Sequence, residues 1–140
     1  MDFKKLFIGG IVASILYFGL GYLIYGKLMM GFFADHPGEV VVGRAEADLK
    51  FMYIALGNVF RGFLLAYLFL RMNVGSAVAG FITGGIIGGL SSAGMDSIMY
   101  GTARMVSKMG MAGHLVAATV MTAVVGAIVA LVMGMGKKAN

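Results

Sequence analysis

Two ionisable residues stand alone inside long apolar stretches. Arg61 is the only charge between residues 51 and 70, and Asp96 is the only one between 72 and 103. Near the centre of a membrane helix each costs roughly 2.5–3.5 kcal/mol on insertion scales, so each is expected to face protein or water rather than lipid. Arg61 lies about ten residues, ~15 Å, along its helix from the end nearest the 27–50 segment, and Asp96 lies ~8–10 Å from the same end of the next helix. An arginine side chain spans that axial difference. The spacing therefore predicts an Arg61–Asp96 ion pair between neighbouring helices. Asn58, one turn before Arg61 on the same face, completes a candidate intramembrane polar site of Asn58, Arg61 and Asp96. Such a site serves an ion or solute path, or else a structural pair that fixes helix register.

Metal and redox chemistry have weaker signals. Asp35, His36, Glu39 and His114 fall on one side of the membrane, and two imidazoles with two carboxylates are a donor set for a divalent ion. Their spacing matches no short metal motif, with the two histidines 78 residues apart, so solvated loop residues are the expected reading and no metal is assigned. Met95 and Met99, and again Met105 and Met109, place thioethers on shared helix faces, a soft donor set that suits Cu(I). The chain has 13 Met and no Cys, and Met beside glycine-rich helices is first of all a flexible packing residue. There is no CxxCH for haem, and no cofactor is expected. Neither GxSxG, nor HExxH, nor a phosphate-binding glycine loop ending in Lys is present, so an enzyme is not expected.

The elements that must carry these residues follow from charge placement. Apolar residues make up 60% of the 140, charged residues 12%, and Gly contributes 23. A soluble domain of this size needs more polar surface than that, and a disordered chain needs more charge. Charge-poor runs at 6–26, 51–70, 74–101 and 112–134 each reach the ~20 residues that a helix needs to cross a bilayer core about 30 Å thick. They do not alternate as barrel strands do. The expected fold is an all-α membrane protein, a single four-transmembrane-helix bundle with an extramembrane loop at 27–50. The first run is longer than the apolar part of a removable signal peptide, which marks it as a true first span. Leu28–Phe33 is apolar enough to lie in the interface, and Arg44–Lys50 is expected to start the second helix early.

Both termini should share a side with the short turn at Arg71–Asn73, which makes spans two and three an antiparallel hairpin. That side carries Lys4, Lys5, Arg71, Lys137 and Lys138, and the other carries Lys27, Arg44, Lys50, Arg104 and Lys108. The positive-inside rule therefore ties. Four of the six acids lie in 27–50, which leans that loop outward and the termini into the cytoplasm. No basic stripe suggests nucleic acid.

Packing signals concentrate in the last two spans. Small residues at every fourth position let helix backbones approach where lipid supplies no hydrophobic drive. The third span reads Ser76, Gly80, Gly84, Gly88, Ser92, with Gly85 and Gly89 alongside; the fourth reads Ala118, Thr122, Gly126, Ala130, Gly134. These two helices are expected to be in closest contact.

Ser14–Phe33 and Gly84–Thr102, with Gly84 and Gly88 followed by Asp96, Tyr100 and Thr102, resemble segments of small bacterial four-helix integral membrane proteins of unknown function. The resemblance implies a compact bundle in the bacterial cytoplasmic (inner) membrane and draws attention to Asp96, without implying an activity. The expected function is a non-enzymatic membrane component whose partners are the lipid bilayer and either itself or other membrane subunits: an oligomerising or accessory subunit. The rival is a small channel or transporter whose path passes Asn58, Arg61 and Asp96. Arg61 favours an anionic solute there, unless pairing with Asp96 cancels its charge.

Overall fold

A computed structural model describes residues 1–40 and 43–135. Lys137 and Lys138, counted above for orientation, lie outside the described residues. Helix α1 spans Phe3–Leu23 and runs on through a π-helical turn, Ile24–Leu28; a short α2 follows at Met30–Asp35. Helices α3, α4 and α5 span Phe51–Arg71, Ala77–Thr102 and Lys108–Gly134. Four helices, α1 with its π turn, α3, α4 and α5, are long and apolar enough to cross a membrane. Among the described residues there is no strand, only an isolated bridge between Pro37 and Val106.

Side-chain caps set several helix ends. Asp2 accepts a hydrogen bond from the Lys5 amide at 3.1 Å, Ser76 from Ala79 at 3.3 Å, and Ser107 from Gly110 at 3.0 Å, each filling an amide with no partner in the first turn. Helix α3 ends in a Schellman turn: Asn73 takes φ 54°, the Val74 amide reaches Phe69 O at 2.9 Å, and the Asn73 amide reaches Leu70 O at 3.3 Å. Asn is among the few residues that adopt this left-handed conformation readily. Helix α3 does not start early. Only a single 3-10 turn, Glu46–Asp48, precedes it, and Lys50 is its cap. Extended backbone at Leu49 separates that turn from the helix, so the charged stretch never joins the apolar one.

The helices associate as two tight pairs, α4 with α5 and α1 with α3, joined where α1 lies on α5. In space the order is α3, α1, α5, α4. Helices α3 and α4 are joined only by Met72–Ser76, as short a connection as that between α4 and α5, yet they are the outer members of this row and scarcely touch. The hairpin of spans two and three is therefore antiparallel in direction but not a packed pair, because close packing follows the small-residue faces and α3 has its small face toward α1. A Cβ at Gly80 would run into the carbonyl oxygen of Gly126, one at Gly84 into that of Thr122, and one at Gly126 into that of Gly80. At Gly88 it would stand 2.6 Å from Thr122 Cβ. Gly85 and Gly89 sit beside this seam with more room, the nearest atoms being 3.5 Å and 3.1 Å away.

The second seam lies in the first half of the chain, where no ladder was read from the sequence. Gly10 and Ser14 of α1 face Gly62 of α3; a Cβ on Gly62 would approach the Ser14 amide nitrogen to 2.6 Å and Gly10 O to 2.8 Å. The Ser14 hydroxyl donates back to Gly10 O at 2.6 Å, so its polarity is satisfied within its own helix. Toward the termini the bundle is filled by Leu65, Phe69, Val125, Val129 and Met133, all at most 4% exposed.

The seam geometry separates two glycines one residue apart. Gly84→Ala should lower stability by roughly 1–3 kcal/mol, as overpacking a tight contact does, whereas Gly85→Ala should be neutral or gain up to ~1 kcal/mol from helix propensity. Thermal unfolding in detergent checks this, and equal effects at the two positions would contradict it.

Candidate functional site

The sequence-predicted polar residues occupy two sites at different depths. Asp96 is 5% exposed and sits on the α4 seam face, one further rung beyond Gly80, Gly84, Gly88 and Ser92. Its partner is His114 of α5, whose Nδ1 lies 2.7 Å from Asp96 Oδ2. Against an ionised Asp96 the imidazole donates from Nδ1, and in its neutral form it keeps a lone pair on Nε2. Arg61 makes no ion pair with Asp96. Among the described residues, the acid–base side-chain contacts are His114–Asp96, an ion pair only when the imidazole is protonated, and the exposed Arg104–Glu39 contact at 3.5 Å. The expected Arg61–Asp96 pair fails because α3 and α4 diverge, and because the α4–α5 register delivers a nearer partner to Asp96.

Arg61 is exposed on α3 and lays its guanidinium over the Tyr17 ring, 4.6 Å from the centroid. Tyr17 is buried in α1. This cation–π contact holds the charge at mid-helix without a carboxylate. A cavity of about 340 Å³ opens here between α1 and α3, walled by Tyr17, Phe18, Tyr22, Tyr25 and Ile54, with Arg61 and Asn58 as its polar groups. Asn58 donates its amide to Ile54 O at 2.9 Å, which leaves its carbonyl oxygen free to accept. Arg61 and Tyr17 also line a smaller cleft between α3 and α4, about 150 Å³, together with Ser91, Ser92 and Thr122. The Thr122 hydroxyl is buried without a hydrogen-bond partner.

A third cavity, about 370 Å³, lies nearer the 27–50 segment and contains Asp96 and His114. Its roof is α2 and the turn that follows. Ser107 donates to His36 O at 2.7 Å, the Val40 amide donates to Arg104 O at 3.1 Å, and Pro37 bridges to Val106. These bonds strap the first loop across the α4–α5 turn. The Phe32 ring fills the space over Gly113, where a Cβ would strike it. The π turn sets Tyr25 at the meeting of the two larger cavities, since it lines both. Its ring stacks on Phe33 at 6.0 Å and tilts against His114 at 5.6 Å, and its buried hydroxyl has no hydrogen-bond partner. Such single π turns recur at functional positions.

The four loop-side metal candidates do not assemble. Asp35 and Glu39 are exposed, and Glu39 faces Arg104. Among the described residues no three of His, Cys, Asp or Glu come together to hold a metal ion. His36 and His114 do share the third cavity. Ser107, the hydroxyl in that cavity, is engaged with His36 O and the Gly110 amide and is no nucleophile for His114. The functional residues that sequence reasoning missed are His114 as partner of Asp96, and Tyr17 and Tyr25. The signal for His114 was present: continuing the two ladders by one rung sets Asp96 opposite His114.

The chain matches no protein-family model, no curated protein and no solved structure.

A double-mutant cycle distinguishes the two pairings. Asp96→Ala with His114→Ala should show a coupling of roughly 0.5–3 kcal/mol in unfolding measurements, while Asp96→Ala with Arg61→Ala should be additive within about 0.5 kcal/mol. Coupling at the second pair and none at the first would refute the pairing described.

Proposed function

We propose that this is a non-enzymatic integral membrane protein of four spans that acts as a small channel or transporter for a small monovalent anion, which enters from the 27–50 side and binds at Arg61. The observation that carries the reading is the state of Arg61: a guanidinium halfway along an apolar helix, in a largely aromatic cavity, with no carboxylate among the described residues paired to it. An arginine whose charge is cancelled by a neighbour has no preference between ions; one held only by a tyrosine ring keeps its attraction for anions. Asn58 adds a polar group one turn away, and the aromatic walls suit an anion with an apolar body. Below this level Leu65, Phe69, Val125 and Val129 are buried against one another, so passage to the termini side requires a second conformation. The acid-rich 27–50 segment faces outward in this reading, with the termini in the cytoplasm of a bacterial inner-membrane protein.

A second reading, an oligomerising or accessory subunit of a membrane complex, is favoured by the same residue's exposure. Phe60 and Leu64, 67% and 58% exposed, flank Arg61, and a partner helix with a carboxylate at that depth would cover all three at little electrostatic cost.

In proteoliposomes, a panel of monovalent anions from chloride to benzoate should show saturable flux for at least one member. Arg61→Gln should reduce that flux at least tenfold, while Asp96→Asn leaves its anion selectivity unchanged. No flux for any anion, or equal flux in Arg61→Gln, overturns the transport reading. A stable oligomer in native mass spectrometry that Arg61→Gln dissociates would replace it with the subunit reading.

A further inference from the structure

The cavity under α2 gathers a second kind of chemistry, independent of the Arg61 site. His36 and His114, 78 residues apart in the chain, both line it, and so do Met99 and Met105. Each imidazole has its Nδ1 engaged by an oxygen that cannot donate: His114 by Asp96 Oδ2 at 2.7 Å, His36 by Phe32 O at 2.9 Å. In their neutral forms, with Asp96 ionised, both rings carry their proton on Nδ1 and present Nε2 as a ligand. Metal-binding histidines take this form, with the far nitrogen bonded to a carboxylate or a backbone carbonyl that fixes tautomer and ring orientation. The strap from Pro37 to Val106 and the Ser107–His36 bond bring His36 across to the start of α5.

We propose that this cavity binds one Cu(I) ion, with Nε2 of His36 and of His114 and the thioethers of Met99 and Met105 as ligands. Thioethers select soft ions, and imidazole is a ligand that copper accepts readily. Charge selects the oxidation state. All four ligands are neutral when the imidazoles are unprotonated, and among the described residues the one buried acidic side chain is Asp96, one hydrogen bond behind His114. A monovalent ion balances an ionised Asp96, whereas a divalent one leaves a net positive charge at the site. The donor set is also poor for Mg2+ or Ca2+, which require oxygen ligands. The methionine pairs seen in the sequence, Met95 with Met99 and Met105 with Met109, are not themselves the ligand sets. One member of each lines the cavity, while Met95 and Met109, 63% and 55% exposed against 42% for Met105, line none of the cavities described.

The test uses the full chain in nanodiscs with Cu(I), kept reduced by ascorbate, in competition with the chelator bathocuproine disulfonate. One Cu(I) per chain should be retained. Met99→Leu combined with Met105→Leu, and separately His36→Gln, should weaken retention by roughly tenfold or more. Met95→Leu combined with Met109→Leu should leave it unchanged. X-ray absorption of the copper-loaded wild type, which needs no variant to fold, should show nitrogen and sulfur scatterers together. Failure to retain Cu(I), a shell of nitrogen alone or sulfur alone, or an equal loss in the Met95/Met109 variant would each overturn the proposal.

Discussion

Glycines at 80, 84 and 126 let the backbones of α4 and α5 touch, so that carbonyl oxygens of one helix occupy the places where side chains would stand on the other. In a bilayer this closeness substitutes for hydrophobic burial as the source of association, because lipid tails offer apolar side chains as good an environment as the bundle does. Contact at this range also fixes register: a one-residue slip would drive a side chain into a carbonyl. Everything polar in the α4–α5 half inherits that register. Asp96 meets His114 because both continue the seam toward the loop end, and the hydrogen bond between them follows from glycines up to four turns away.

The second constraint is the order α3, α1, α5, α4. Each outer helix has one close neighbour, chosen by small residues rather than by the length of the connecting turn. The consequence is a cleft between α3 and α4 and an Arg61 that leans on Tyr17 instead of pairing with Asp96. A bundle in which consecutive helices packed together would have buried Arg61 against Asp96 and cancelled its charge. The two polar sites, one cationic and one a carboxylate–imidazole pair, are thereby kept apart, with Tyr25 of the π turn between them.

Much of the helical framework was legible from charge spacing, since four long runs with at most one charge each leave few other arrangements for the backbone. The α4 and α5 ladders stood out as every-fourth-residue small positions. The partnership of α1 with α3 did not, because its small residues are mixed: Gly10 and Ser14 on one side and Gly62 on the other make a single crossing rather than a run. Arg61 and Asp96 were conspicuous by their cost in lipid, but cost does not name a partner. Adjacency of α3 and α4 in the chain is not adjacency in space, and it is the ladder register that runs from Asp96 to His114. The roof over the third cavity has no sequence signature, since no spacing or residue type announces the strap from Pro37 and His36 to Val106 and Ser107 that sets His36 beside the α5 N-terminus.

The separation of the two polar sites can be read directly in a bilayer. Solid-state NMR on protein labelled with 13C at aspartate Cγ and 15N in histidine and arginine side chains measures which nitrogen is dipole-coupled to the Asp96 carboxyl. The helix order and the 2.7 Å Asp96–His114 bond predict strong coupling to an imidazole nitrogen of His114 and none to a guanidinium. Strong coupling of the Asp96 carboxyl to the Arg61 guanidinium, with the His114 ring uncoupled, would contradict the two-pair arrangement and return the charges to a single neutralised site.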